Sequence, residues 1–311
     1  KVIVLGFFIP VLVSLSFVLY VQKTEGMPDR FSDSLVEKSR AIGSWASRIR
    51  GACHNGYITG LASEDECILG RESGSVDFLL IGDSHANHFA GMMDVFASKA
   101  GLRGYDSSQS NTIYLPGSER MYSKSGQEKI HTQFKSRNET WTALIEENNY
   151  RAVVLGGSYA IHYESDSFVH EGERGKGAFG ESFRTALRLI EKSGAQAYVI
   201  MGSPVLLGIN HDCGLMNKRF GTDQSCKYPR EMHDDKFEGW IDFVANLKNE
   251  FPKVTFIDPA AVLCTDDYCY AELDGLPIYH DGNHLNYMGS QEIGRRYIQD
   301  FGNPLNALRG N

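Results

Sequence analysis

Apolar positions along the chain fall into three regimes. Residues 2–21, VIVLGFFIPVLVSLSFVLYV, are uncharged and apolar almost without a break. Residues 24–74 are mixed and polar. From about residue 75, short β-branched runs alternate with longer stretches of helical period. The strand candidates are VDFLLIG (76–82), LRGY (102–105), RAVVLGG (151–157), AQAYVIMG (195–202) and KVTFIDP (253–259). Helical periodicity marks 86–99, 138–149, 180–193, 233–250 and 288–301. Strands that are apolar throughout belong in a parallel sheet covered on both faces. The pattern predicts a three-layer α/β/α sandwich with a five-stranded parallel sheet, flavodoxin-like, in the order 2-1-3-4-5. Two connections are long, 106–137 and 205–232, and EGERGKG (171–177) reads as a flexible tip.

The first regime has the roughly 20 residues a helix needs to cross a bilayer, and Lys1 and Lys23 flank it. Pro10 is compatible with a spanning helix. A signal peptide is the rival reading, but the run is long for one and no small-x-small cleavage site follows closely. A chain that opens on Lys1 is expected to be a piece of a longer protein with membrane-embedded sequence upstream. The expected division is a transmembrane helix over 1–22, a juxtamembrane extension with a disulfide loop over 23–74, and a catalytic α/β domain over 75–311.

Charge narrows the partners. Thirty-one Lys and Arg against 39 Asp and Glu leave a formal charge of −8, with no basic stripe to neutralise phosphates, which argues against nucleic acid. Six cysteines are present, none at CxxC spacing. Structural disulfides outside the cytosol fit that pattern better than zinc or redox chemistry. Six cysteines permit 15 pairings. Because each neighbouring couple spans a short polar loop, Cys53–Cys67, Cys213–Cys226 and Cys264–Cys269 are the chosen set; buried free thiols are the alternative.

Chemistry concentrates in two turns. In FLLIGDSHANHF (78–89) a buried strand runs into Gly82, Asp83 and Ser84. A serine at such a strand-to-helix turn is lifted clear of the sheet, with helix-start N–H groups aimed at any oxyanion formed on its attack. Capping of the following helix by Asp83 or Ser84 is the plainer reading. The second turn, HDGNHLNYMGS (280–290), supplies Asp281 and His284 three residues apart. His284 is placed to take the Ser84 proton and Asp281 to hold the imidazole tautomer; capping by Asn283 or Asn286 is the plainer alternative. His85 and His88 read as structural or substrate-adjacent. His211, Asp212, His233, Asp234 and Asp235 lack tight ligand spacing, so no metal is expected. Tyr159, Tyr163, Tyr279 and Tyr287 are candidates for stacking on sugar rings.

GDSH with DGNHL resembles the first and last blocks of the SGNH, or GDSL-like, hydrolases over roughly residues 75–305. More narrowly, FLLIGDSHANHF is similar to SGNH domains fused to acyltransferase-3 membrane proteins, which O-acetylate bacterial surface polysaccharides such as lipopolysaccharide O-antigen. That resemblance implies a Ser84, Asp281 and His284 triad in the periplasm, anchored to the bacterial inner membrane. It implies no bound cofactor, an acetyl donor (ultimately acetyl-CoA) supplied through an upstream membrane acyltransferase domain, and a polysaccharide acceptor. In the superfamily, a second-block glycine and a third-block asparagine complete the oxyanion hole. Here YDSSQSN (105–111) offers no glycine, and LGGSYA (155–160) puts Ser158 near the asparagine position. Candidates for the hole are the N–H groups of Ser84, Ser108 or Ser110, and either Gly156 and Gly157 or the Ser158 hydroxyl. The expected function is a serine O-acetyltransferase acting through an acetyl-serine. A membrane-anchored carbohydrate esterase and a non-catalytic polysaccharide-binding module are the alternatives.

Overall fold

The computed structural model describes residues 4–45, 51–54 and 67–309. Its central sheet has six strands: β1 (Ile68–Gly70), β2 (Phe78–Gly82), β3 (Arg103–Ser108), β4 (Ala152–Leu155), β5 (Gln196–Ile200) and β6 (Thr255–Ile257). They lie in the order β1-β3-β2-β4-β5-β6. The five strands from β2 onward are parallel and follow the expected 2-1-3-4-5 order. The sixth departs from that expectation: β1 pairs antiparallel with β3 and makes the sheet mixed. Three residues are too few for a period-2 signal, and β1 lies before residue 75, so the last part of the extension is built into the main sheet.

Alternation along each strand divides the core. Leu79, Ile81, Val153, Leu155 and Val199 face one side, against Trp141, Phe179, Phe183 and Trp240 of three covering helices. Those helices are Thr132–Glu147, Lys176–Lys192 and Arg230–Glu250. Phe78, Leu80, Val154, Tyr198 and Ile200 face the other side, against Met92, Met93 and Phe96 of Ala90–Ala100 and Ile293 of Tyr287–Phe301.

Several segments that read as loops carry structure. Within 106–137, Glu119–Lys124 and Gln127–Ile130 form a hairpin, which joins Phe168–His170 and Glu173–Arg174 in a small four-stranded sheet. The 171–177 segment is therefore a hairpin turn running into the helix at Lys176, not a loose tip. Its lysines and glutamates hid the strands because both faces of this small sheet are largely wet. Within 205–232 lie a helix, Cys213–Phe220, and a short strand, Lys227–Pro229.

At the N-terminus, a π-helical turn over Val4–Phe8 leads into the α-helix Ile9–Lys23, with Pro10 in its first turn, where a missing N–H is tolerated. Residues Leu5–Lys23 make a 19-residue apolar segment with mean hydropathy 2.0 and no buried residue. At 1.5 Å per residue it is about 28 Å long, close to the hydrocarbon thickness of a bilayer. The helix Asp33–Gly43 then packs on the main domain, where Lys38 binds Glu272 at 2.8 Å and Tyr287 N–H donates to Ser44 O at 2.6 Å.

All three neighbouring cysteine couples are joined as disulfides: Cys53–Cys67, Cys213–Cys226 and Cys264–Cys269. Residues 55–66 of the first loop lie outside the described residues.

Candidate active site

β2 ends at Gly82, whose φ of +144° and close approach to Gly156 leave no room for a side chain; a Cβ there would lie 1.6 Å from the Gly156 carbonyl oxygen. The chain then turns into the short helix Ser84–His88 at the carboxyl edge of the sheet. Asp83 is the N-cap, accepting from His85 N–H at 2.8 Å. Capping and exposure of the serine thus occur together: Asp83 holds the helix start and Ser84 is left half-buried at the surface.

Ser84 Oγ lies 2.9 Å from Nε2 of His284. The opposite ring nitrogen, Nδ1, lies 2.9 Å from Oδ2 of Asp281. Asp281 Oδ1 accepts the N–H groups of Asn283 at 2.9 Å and His284 at 2.7 Å, so the aspartate also shapes the turn that carries the histidine. Partial burial pushes the Asp281 carboxyl up, but the hydrogen bond from His284 and the two backbone N–H groups hold it well below the usual carboxylate range. An anionic Asp281 at Nδ1 favours the tautomer with its proton on Nδ1, leaving Nε2 free to accept from Ser84. Asn286 caps the next helix, accepting from Gly289 N–H at 2.6 Å.

Packing holds His284 from behind. The ring of His85 lies 4.8 Å from it, and His88 lies 4.6 Å from His85. Burial lowers both, His85 to about 4 and His88 well below the ordinary histidine value, so both are neutral at pH 7. Neutral rings fix the orientation of His284 without repelling a proton arriving on it. His88 Nδ1 accepts from Leu285 N–H at 3.2 Å, tying the two turns together.

The Ser158 position differs from its expected use. Its backbone N–H lies 3.2 Å from both Asp83 carboxylate oxygens, and its hydroxyl also donates to Oδ2. Both donors are thereby directed to Asp83. Ser110 Oγ and Ser108 Oγ are held by the two ring nitrogens of His54, at 2.8 and 3.1 Å. The N–H groups of Ser84 and Gly157 have no acceptor among the described residues.

Two histidines near the site carried no signal in the sequence. His54 follows Cys53, at the start of the loop that the disulfide closes. His162 lies on the short helix Tyr159–His162, 4.0 Å from Asp83. Neither belongs to a motif, and only the fold brings them here.

The remaining candidates separate. Tyr159 and Tyr279 are fully buried, Tyr279 donating to Pro204 O at 2.7 Å; Tyr163 stacks on Phe243 at 5.0 Å. The first two are core side chains and present no face to a sugar. Among the described residues, no three His, Cys, Asp or Glu side chains gather as a metal-ligand set.

The family model described as "SGNH domain (fused to AT3 domains)" matches residues 52–299. The fold is similar to that of the lipopolysaccharide acetyltransferase periplasmic domain of Salmonella ser. Paratyphi A. That likeness has TM-score 0.56 and 15% identity, over 86% of this chain and 96% of that one. A protein of Slackia heliotrinireducens assigned as an SGNH hydrolase aligns with TM-score 0.45 and 16% identity, over 74% of this chain and 100% of its own. A GDSL-like lipase from Bacteroides thetaiotaomicron aligns with TM-score 0.35 and 10% identity, over 71% and 87%. No curated protein matches in sequence.

Proposed function

The chain belongs to the SGNH domains that are fused to AT3 domains, and from that premise we propose that it is the extracytoplasmic catalytic part of a membrane O-acetyltransferase. The observation that carries this reading is the continuous hydrogen-bonded chain Ser84–His284–Asp281, 2.9 Å at each link, at the carboxyl edge of a parallel sheet. Such an arrangement makes a nucleophile of an otherwise unreactive alcohol.

In the first half-reaction Ser84 Oγ attacks the acetyl carbonyl of the donor and its proton passes to His284 Nε2. The tetrahedral oxyanion is received by the N–H groups of Ser84 and Gly157. The carbonyl re-forms, the donor's leaving group departs with the proton from His284, and acetyl-Ser84 remains. In the second, a sugar hydroxyl gives its proton to His284 and attacks the acetyl-serine. The same oxyanion forms and collapses, Ser84 Oγ recovers the proton, and the acetylated sugar leaves. No bound cofactor takes part in these steps. An AT3 domain upstream, on the cytoplasmic-membrane side of the Leu5–Lys23 helix, supplies the donor, and the acceptor is a surface polysaccharide of the lipopolysaccharide O-antigen class. The likeness to a Salmonella lipopolysaccharide acetyltransferase domain supports that substrate class, and the apolar helix supports a periplasmic placement.

The same triad serves water as well as sugar. The side chains of His284 and Asp281 are 21% and 45% exposed, an openness that favours hydrolysis as the second reading, a membrane-anchored carbohydrate esterase. The test is Ser84→Ala in the full-length protein, with acetate measured on the surface polysaccharide. Loss of acetylation is expected; unchanged acetylation overturns the reading, and a rise in acetylation indicates the esterase.

A further inference from the structure

A second concavity lies on the same edge of the sheet and contains none of the triad. Its volume is about 370 Å³, in the lower part of the range of small-ligand sites. It is walled by the residues following β5 and β6 and by the first half of the helix Arg230–Glu250. Only β4 separates β2, which leads to Ser84, from β5, which leads to Ser203. Two strand spacings, about 10 Å, separate the ends of β2 and β5, a gap that an oligosaccharide bridges. The wall is also tied to the catalytic turn: Pro204 O accepts from Tyr279 OH at 2.7 Å, and Leu206 N–H donates to Gly282 O at 2.8 Å.

The lining has a definite chemistry. Five carboxylates, Asp234, Asp235, Glu238, Asp242 and Asp258, face one guanidinium, that of Arg230, which is paired with Asp234 at 3.3 Å. Two further polar groups, Ser203 Oγ and His233 Nδ1, are buried with no hydrogen-bond partner among the described residues, on side chains only 6% and 9% exposed. Buried polar atoms without partners are costly and uncommon in folded proteins, and both residues line this cavity. Phe237 and Trp240 are only 5% and 2% exposed and close the floor of the cavity; the Trp240 indole N–H is committed to Met201 O at 2.9 Å. Carboxylates and two polar groups without partners suit a molecule rich in hydroxyl donors. They repel an acid.

We propose that this cavity is a binding subsite for an uncharged hexose residue of the polysaccharide acceptor, placed to present a neighbouring sugar hydroxyl to Ser84. The assignment rests on the acyl-transfer reading above, and it excludes uronic acids from the subsite.

The test titrates the full chain with methyl glycosides of neutral hexoses and with methyl glucuronide, read by saturation-transfer NMR and tryptophan fluorescence. Saturable binding of a neutral glycoside is expected, with the glucuronide weaker by at least about tenfold, or 1.4 kcal/mol. Ser203→Val and Asp258→Asn are each expected to weaken the neutral glycoside by a similar factor at unchanged thermal midpoint. Should either fail to fold, Glu238→Gln, on the exposed rim, carries the same expectation. Absence of saturation with every neutral glycoside, equal binding of the glucuronide, or binding indifferent to all three substitutions overturns the proposal. Fluorophosphonate labelling of Ser84 is measured in parallel. Labelling without saccharide binding removes the subsite and leaves the acyl-transfer reading standing; saccharide binding without labelling removes the acyl-transfer reading.

Discussion

Ser158 donates both its backbone N–H and its hydroxyl to the carboxylate of Asp83, the residue immediately before Ser84. That carboxylate is fully buried. Burial pushes it up, but His85 nearby, the Ser158 hydroxyl, His162 and the His85 N–H together hold it below its ordinary value. A charge kept inside the protein thus anchors the turn that carries Ser84, and its partners come from two different strand ends.

Removing the Ser158 hydroxyl tests that anchoring. Ser158→Ala is expected to cost about 1.5–3 kcal/mol, the range for a hydrogen bond to a charged group, seen as a lower urea midpoint at unchanged slope. Turnover of an activated acetyl ester is expected to fall by less than about tenfold, against the 10²–10³ typical when an oxyanion donor is removed. A larger loss of turnover with intact stability would return Ser158 to the oxyanion hole.

The proposed triad predicts distinct effects at its two supporting positions. Asp281→Asn is expected to lower kcat by roughly 10²–10⁴, because the imidazole loses the partner that keeps its proton on Nδ1. His284→Ala is expected to be at least as damaging, and adding the second substitution to the first to cost little more, since residues acting as a unit are not additive. Steady-state kinetics with an acetyl ester provide the check.

Stability should depend on pH through the buried imidazoles. Burial, opposed by Asp83, lowers His85 and His162 from 6.5 to about 4. Between those values the unfolded chain binds more protons than the folded one, so stability rises with pH across the window and is complete above 6.5. Asp83 acts in the same sense lower down, contributing above its unfolded value of 3.8 and losing that contribution as pH falls toward its folded value. His162→Gln is expected to flatten the slope between pH 4 and 6.5; each unit of pKa separation removed corresponds to about 1.4 kcal/mol. Urea unfolding across this window measures it.

The Cys53–Cys67 bridge holds His54 beside Ser108 and Ser110. Replacing both cysteines with alanine is expected to destabilise the fold by about 3 kcal/mol, the chain-entropy value for a loop of this length. It should also increase amide exchange at residues 108–111. Unchanged exchange there would separate the bridge from the site.

The apolar strands, their spacing and the parallel order were legible in the sequence because a strand covered on both faces must be apolar throughout, and right-handed crossovers leave few orders. Ser84, Asp281 and His284 were legible as candidates because each lies in a compact polar turn at the end of an apolar element. β1 and the small sheet around Glu119–Lys124 were not legible, being too short or too wet to carry a period. What only the tertiary structure decided are the encounters between distant segments: His54 with Ser108 and Ser110, Ser158 with Asp83, and His85 with His284. A side chain's local sequence limits what it can donate or accept. The folded backbone, which sets every neighbour within about 3 Å, selects which partner it takes.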